Sequence, residues 1–106
     1  MRELTPAECQ DYLGQGTGGS LLLDVREPWE YNIASLDNSR LVPMREIPAA
    51  AEDLDREQEI IVICHHGIRS RKVAWFLESR GFSNVINLRG GLDAWARELD
   101  PLLATY

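Results

Sequence analysis

Short apolar runs alternate with amphipathic stretches along this chain, and the alternation predicts an α/β fold. Apolar runs of strand length occupy residues 21–25, 59–63 and 84–88, and residues 39–42 form a weaker fourth candidate. Residues 60–63 are Ile-Ile-Val-Ile, consecutive β-branched side chains that suit a strand buried on both faces. We therefore expect a three-layer sandwich with a central, mostly parallel sheet flanked by helices.

Helices are predicted in the segments between these runs. Thr5 suits the N-cap position and Pro6 the first helical position, and Glu8 completes a capping box. Further helices are expected at residues 28–34, 47–54, 70–80 and 92–99, and the glycine-rich residues 14–20 are predicted to form a loop. The length suits a single domain spanning residues 1–106.

The charge of the chain narrows the choice of partners. The 106 residues carry a formal net charge of −6, and the sequence pI is about 4.8. This balance argues against nucleic acid or an anionic membrane as the main partner, so a small anionic substrate would need a local cationic pocket. No apolar run reaches the ~20 residues of a transmembrane helix, and the first residues lack the apolar stretch of a secretory signal. We expect a cytoplasmic location.

Cys64 is the candidate nucleophile. The chain has two cysteines, too few for a disulfide scaffold, and it lacks the paired Cys-x-x-Cys spacing of zinc sites. Cys64 follows the best-defined strand, and a helix is predicted to begin near Arg69 and Ser70. A loop wrapped over a helix amino terminus points N–H groups inward and binds anions. The helix dipole and Arg69 would stabilise a Cys64 thiolate, whereas the simpler alternative is a small apolar filler at the end of a strand.

Three segments together resemble the rhodanese-like family of single-domain thiosulfate sulfurtransferases. Residues 23–31 (LDVREPWEY) are similar to the family's LLDVREPxEY segment, and residues 64–70 (CHHGIRS) to its CxxGxRS active-site loop. Residues 85–95 are similar to its closing strand, paired glycines and tryptophan, and the opening residues 4–8 (LTPAE) to its first helix. The resemblance covers residues 4–95 and implies a rhodanese-like three-layer sandwich.

One segment departs from the family pattern. Where members usually carry His-Ile-x-Gly, this chain has Ser-Leu-Asp-Asn at residues 35–38. Asparagine tolerates the left-handed backbone conformation, so Asn38 can replace the glycine of this turn. Ser35 lacks the imidazole and whatever contact it makes.

The length of the loop distinguishes sulfur from phosphorus chemistry within this resemblance. Sulfurtransferases of the family have the same spacing from cysteine to arginine as Cys64 and Arg69, which here spans six residues. The related dual-specificity phosphatases and arsenate reductases have one residue more, which makes room for a tetrahedral oxyanion. The resemblance therefore favours sulfur transfer.

The resemblance implies a double displacement through a Cys64 persulfide. The Cys64 thiolate would take sulfane sulfur from thiosulfate or a similar small anionic donor, and pass it to cyanide or a thiol, including a protein thiol. Arg69 would pair with the anionic donor. Asp24 and Arg26 would form a supporting ion pair, and the residues that bind the substrate would be His65, His66, Gly67, Ile68 and Ser70.

Other notable side chains are assigned structural roles. No cofactor is expected, and no metal is expected because adjacent loop histidines such as His65 and His66 seldom converge on one ion without further ligands. Cys9 is predicted to be a buried packing residue next to Leu4. The three tryptophans are also predicted to be packing residues: Trp29, Trp75 and Trp95.

Three alternatives to a thiosulfate sulfurtransferase stay open. A sulfur-carrier module, loaded by a partner protein, would use the same persulfide. A phosphatase or arsenate reductase is disfavoured by the six-residue loop. A catalytically inactive binding module is disfavoured because Cys64 and Arg69 are both present.

Overall fold

Five parallel strands form the central layer in the computed structural model, which describes residues 1–14 and 19–106. The strands are β1 (Arg2–Leu4), β2 (Leu21–Asp24), β3 (Ser39–Leu41), β4 (Ile60–Ile63) and β5 (Val85–Leu88). Their order across the sheet is β1-β5-β4-β2-β3, and every neighbouring pair is parallel. The predicted α/β fold with a parallel sheet is confirmed.

The central strand β4 is apolar on both faces because consecutive strand residues point to opposite sides of a sheet. Ile61 and Ile63 pack into one hydrophobic cluster, and Ile60 and Val62 pack into the other. All four side chains are at most 1% exposed. The uninterrupted β-branched run therefore supplies both hydrophobic cores and fixes β4 in the middle of the sheet.

Helices cover both faces of this sheet. The helices are α1 (Pro6–Gly14), α2 (Pro28–Ile33), α3 (Ile47–Ala50), α4 (Ile68–Ser79) and α5 (Gly91–Glu98). Side chains from α1 and α5 pack into the cluster of Ile61, and side chains from α3 and α4 pack into the cluster of Ile60. Among residues 1–14 and 19–106, no helix has the length and apolar character needed to cross a bilayer.

Two local predictions are confirmed at the level of single hydrogen bonds and dihedral angles. The Thr5 N–H donates to Glu8 Oε1 (2.9 Å), and the Glu8 N–H donates to Thr5 Oγ1 (3.2 Å), so the capping box is present. Asn38 has a φ of 64°, the left-handed conformation expected for this turn. In the predicted glycine-rich loop, residues 15–18 lie outside the described residues.

Some boundaries differ from the predictions for identifiable reasons. β1 (Arg2–Leu4) was not predicted, since it is short and polar and forms by pairing with β5. Helix α4 begins at Ile68 rather than Ser70, because Gly67 (φ 92°) turns the chain directly into the helix. The segment 47–54 is only partly α-helical and continues as a 3₁₀ turn over Ala51–Asp53.

The prediction that the three tryptophans are packing residues is confirmed only for Trp95. Trp95 is 9% exposed and belongs to the cluster of Ile61, but Trp29 and Trp75 are 60% and 57% exposed. Trp29 lies on the short helix α2 and Trp75 on the outer side of α4, where the sheet does not reach them. Residue type alone does not tell which face of a helix a tryptophan occupies.

Candidate active site

Cys64 lies directly after β4, at the carboxyl edge of the sheet. Because β2 and β5 flank β4, the segments that follow these three strands meet around Cys64. Open parallel sheets bind ligands at this edge. The position predicted for Cys64 from the sequence is therefore the position observed.

A left-handed glycine closes the loop onto the Cys64 sulfur. Gly67 has a φ of 92°, and a Cβ at this position would lie 3.0 Å from the Gly90 nitrogen. The turn brings the Gly67 N–H back to donate to Cys64 Sγ at 3.0 Å. Both the dihedral angle and the neighbouring backbone disfavour a larger residue here, so glycine allows the tight contact with sulfur.

The amino terminus of α5 holds the loop from the other side. The Leu92 N–H donates to the Cys64 carbonyl oxygen (2.9 Å), and the Asp93 N–H donates to the His65 carbonyl oxygen (3.0 Å). A Cβ on Gly91 would overlap these two carbonyl oxygens. The paired glycines noted in the sequence thus allow α5 to bind the loop carbonyl groups at close range.

The N–H groups of the loop are left available for an anion. Within the described part of the chain, five backbone N–H groups in the loop and the first turn of α4 have no acceptor in the protein: those of His65, His66, Ile68, Arg69 and Ser70. Such groups at the positive end of a helix form an anion-binding concavity. The predicted cradle around Cys64 has the donors that it needs.

Polar side chains form a hydrogen-bond network next to the buried Cys64 thiol. Cys64 is 1% exposed, and its Sγ lies 3.3 Å from Ser70 Oγ. The Ser70 hydroxyl also donates to Asn87 Oδ1, while Asn87 Nδ2 donates to the Gly67 carbonyl (3.3 Å) and to Glu3 Oε2 (2.8 Å). Sequence reasoning missed Asn87, although a single amide within the apolar strand β5 is a signal that a buried hydrogen-bond network is present.

Arg69 is held in an ion pair that was not anticipated. Its Nη1 and Nη2 donate to Glu30 Oε1 (2.6 Å) and Oε2 (2.7 Å), a bidentate pair in which the Glu30 side chain is 4% exposed. Hydrogen bonds from Arg69 lower the pKa of Glu30 to about 2 although burial opposes the shift. The same bonds raise the pKa of Arg69, so both groups are charged at neutral pH.

Tyr106 joins this ion pair to the predicted pair of Asp24 and Arg26. Arg26 Nη2 lies 2.7 Å from Asp24 Oδ2, and both side chains are fully buried. The Tyr106 hydroxyl accepts from Arg26 Nη1 (3.0 Å) and donates to Glu30 Oε2 (2.8 Å). Glu30 lies inside the REPWEY segment already singled out, but nothing in the sequence pattern connects Tyr106 with it.

The two histidines occupy different surroundings at the mouth of the loop. His65 is half-buried with its ring centre 4.0 Å from the ring of Tyr106, and burial lowers its pKa. The His66 side chain is 61% exposed, and its Nε2 lies 3.9 Å from Asp93 Oδ2. One potential ligand atom from each of these histidines and Asp93 lies within 4.8 Å of the others, so the absence of a metal stays a prediction.

Comparison with protein families decides the relationship suggested by these features. Residues 5–98 match the model of the family described as the Rhodanese-like domain. The chain belongs to the rhodanese-like domain family. The resemblance seen in the sequence is confirmed, and sulfur transfer is the activity that the comparison supports at the level of the family.

Two relatives differ in how much of their length this rhodanese-like chain matches. Thiosulfate sulfurtransferase GlpE of Haemophilus influenzae is 31% identical over 105 residues, which cover 99% of this chain and 97% of that protein. Rhodanese-like/PpiC domain-containing protein 12 of Arabidopsis thaliana is 42% identical over 89 residues, which cover 80% of this chain. The chain spans only 30% of the length of the Arabidopsis relative.

A solved structure shows the same rhodanese-like architecture. The rhodanese-related protein from Thermoplasma volcanium superimposes with a TM-score of 0.82 at 31% sequence identity. The superposition covers 93% of this chain and 94% of that one.

The second thiol of this rhodanese-like chain lies away from the loop. Cys9 is 0% exposed and packs in the cluster of Ile61 on α1, with Leu4 against the same cluster. Burial among apolar groups raises the pKa of the Cys9 thiol to about 11. Its predicted packing position is confirmed, and at neutral pH it is protonated and a poor nucleophile.

Proposed function

We propose that this chain transfers sulfane sulfur from an anionic donor such as thiosulfate to cyanide or a thiol through a persulfide on Cys64. The observation that carries the proposal is the loop around the Cys64 sulfur. Gly67 donates to Sγ at 3.0 Å, and the neighbouring N–H groups of the loop have no acceptor within the described residues. Family membership and a sulfurtransferase-named relative of similar length support the same chemistry.

The reaction has two displacement steps. The Cys64 thiolate attacks the outer sulfur of thiosulfate, the S–S bond of thiosulfate breaks, and sulfite leaves with the bonding electron pair. The outer sulfur, now bonded to Sγ, carries a negative charge that the free N–H groups stabilise. The acceptor then attacks this outer sulfur, and Cys64 leaves as the thiolate. Because the donor product leaves before the acceptor reacts, the kinetics should be ping-pong.

The closeness of the loop to Sγ favours sulfur over phosphate or arsenate as the transferred group. A persulfide adds one atom at a bond length of ~2.05 Å. A tetrahedral oxyanion must fit several oxygens between the thiolate and the N–H groups. Gly67 already contacts Sγ directly, and Cys64 is only 1% exposed. This spacing supports the interpretation drawn from the six-residue loop.

Initial-rate kinetics test the proposed function. Varying thiosulfate and cyanide together should give the parallel double-reciprocal lines of a ping-pong reaction. The same preparation should be assayed for phosphate monoester hydrolysis and arsenate reduction, and hydrolysis as fast as sulfur transfer would contradict the proposal. Loading by a protein persulfide without turnover of thiosulfate would instead favour the sulfur-carrier alternative.

A further inference from the structure

Four arginines around the loop are each paired with a carboxylate. Arg69 is paired with Glu30, and the other pairs have closest N–O distances between 2.7 and 3.1 Å: Arg26 with Asp24, Arg71 with Glu3, and Arg97 with Asp93. Lys72, one residue further along α4, is exposed and lines a patch with Met44 and Phe76. The charge of each of these four arginines is therefore balanced by one carboxylate.

Glu30 accepts four hydrogen bonds. Besides both Arg69 bonds, it accepts from the Tyr106 hydroxyl (2.8 Å) and from the Glu27 N–H (2.9 Å). Its side chain is 4% exposed, so a movement into solvent would break these four hydrogen bonds. If Arg69 left Glu30 to bind a donor, the buried Glu30 carboxylate would lose its positive partner, which is strongly unfavourable.

The charge of Glu30 acts on the loop itself. Its negative charge opposes the decrease in the pKa of His65, the residue after Cys64, and Arg69 interacts electrostatically with Cys64. A donor at the loop is thus attracted by the positive charge of Arg69 and repelled by the negative charge of Glu30. The backbone N–H groups remain as the attraction for the anion, and their dipoles act mainly on the atom they touch.

We propose that Glu30 sets the donor selectivity of this site by disfavouring doubly charged donors such as thiosulfate relative to sulfane donors with one charge or none. The inference rests on the proposed sulfur transfer through Cys64. It assigns singly charged thiosulfonates and neutral persulfides, R–S–SH, as the preferred class of donor.

A thiosulfonate provides a matched probe because it reacts as thiosulfate does but carries one charge fewer. With methanethiosulfonate, the Cys64 thiolate attacks the terminal sulfur, the S–S bond breaks, and methanesulfinate leaves with the electron pair. With thiosulfate the leaving group is sulfite. Both reactions leave the same anionic persulfide on Cys64, so a difference between the donors reports the extra charge.

The decisive variant is Glu30→Gln, which keeps the shape of the side chain and an oxygen for the Glu27 N–H while removing the charge. The ratio of kcat/KM for thiosulfate to kcat/KM for methanethiosulfonate should rise roughly tenfold, as expected for one charge acting through a partly solvated site. Glu52→Gln is the matched control, since it removes one charge from an exposed position and should leave the ratio unchanged.

A double-mutant cycle separates this charge effect from a structural one. Arg69→Gln leaves Glu30 uncompensated, so the same ratio should fall by a similar factor. Glu30→Gln combined with Arg69→Gln removes both charges and should restore the ratio to within about threefold of wild type. If Glu30→Gln does not fold, the fall in Arg69→Gln and the recovery in the double variant still test the proposal.

Two failures can be told apart. If wild type accepts sulfur from both donors but the ratio is unchanged in Glu30→Gln and in Arg69→Gln, the selectivity role of Glu30 is overturned and the proposed function stands. If wild type accepts sulfur from neither donor, the proposed function itself is wrong, and the inference about Glu30 falls with it.

Discussion

Cys9 and Cys64 are buried to the same degree but differ in the hydrogen-bonding groups around their sulfur atoms. They are 0% and 1% exposed and belong to the hydrophobic clusters on opposite faces of the sheet. Cys9 is enclosed by apolar side chains, which raise the pKa of its thiol to about 11. Cys64 receives an N–H from Gly67 and lies beside Ser70. The hydrogen-bond donors around a buried thiol, rather than its burial, therefore distinguish the candidate nucleophile Cys64 from the packing residue Cys9.

The largest expected difference is in sulfur transfer itself. Cys64→Ala should reduce transfer from thiosulfate to cyanide to the uncatalysed rate, because no sulfur remains to form the persulfide. Cys9→Ala should retain the wild-type rate per folded molecule. Both variants should be measured in one assay. Activity that survives in Cys64→Ala, or is lost in a folded Cys9→Ala protein, would contradict the different roles assigned to the two cysteines.

The charged groups beside the Cys64 loop should make the stability of the protein sensitive to acid. The pKa of Glu30 falls from 4.5 to about 2 in the folded protein, so its ion pair stabilises the fold above pH 4.5. That contribution, roughly 3 kcal/mol, is lost progressively as the pH falls from 4.5 towards 2.

Urea unfolding at several pH values between 7 and 2.5 measures this contribution. Glu30→Gln should be less stable than wild type at pH 7, and the difference should shrink as the pH falls. Glu52→Gln controls for the change in net charge. A difference between Glu30→Gln and wild type that stays constant over this range would contradict the assignment of the low pKa to Glu30.

Removing the Ser70 hydroxyl next to Cys64 should lower the rate of sulfur transfer measurably, but less than removing the thiol itself. Ser70→Ala removes the hydroxyl beside Sγ and leaves the buried Asn87 oxygen without its donor. We expect kcat/KM to fall roughly tenfold, in line with the loss of about 1 to 2 kcal/mol when a buried partner is removed. Ser83→Ala, at an exposed position, is the matched control. An unchanged rate in Ser70→Ala would show that the hydroxyl does not act on the sulfur.

The smallest expected effect is the change in unfolding free energy when Cys9 is replaced. Cys9→Ala leaves a small cavity in the apolar cluster and should cost about 1 kcal/mol of unfolding free energy. Cys9→Ser places a hydroxyl there and should cost more, because its polar group lacks a partner. Denaturant unfolding measures both changes. Equal stability of the alanine and serine variants would contradict an apolar environment for Cys9.

The sequence pattern predicted elements with strong local signals and missed contacts made over long distances. The run of residues 60–63 predicted a doubly buried strand, and the spacing from Cys64 to Arg69 predicted the loop. Glu30 and Arg69 each lie in a segment that the sequence singled out. Their pairing could not be predicted, because it depends on how α2 packs against the loop. Tyr106 and β1 have no local pattern, since each is fixed by partners distant along the chain.

Sulfur transfer through Cys64 is tested most directly by the mass of the peptide that contains Cys64 after treatment with thiosulfate. Peptide mapping under non-reducing conditions should show a gain of one sulfur atom on the Cys64 peptide and no gain on the Cys9 peptide. Cyanide should then remove the added sulfur and restore the original mass. A sulfur on Cys9, or an unmodified Cys64 peptide in protein that turns over thiosulfate, would contradict a persulfide on Cys64.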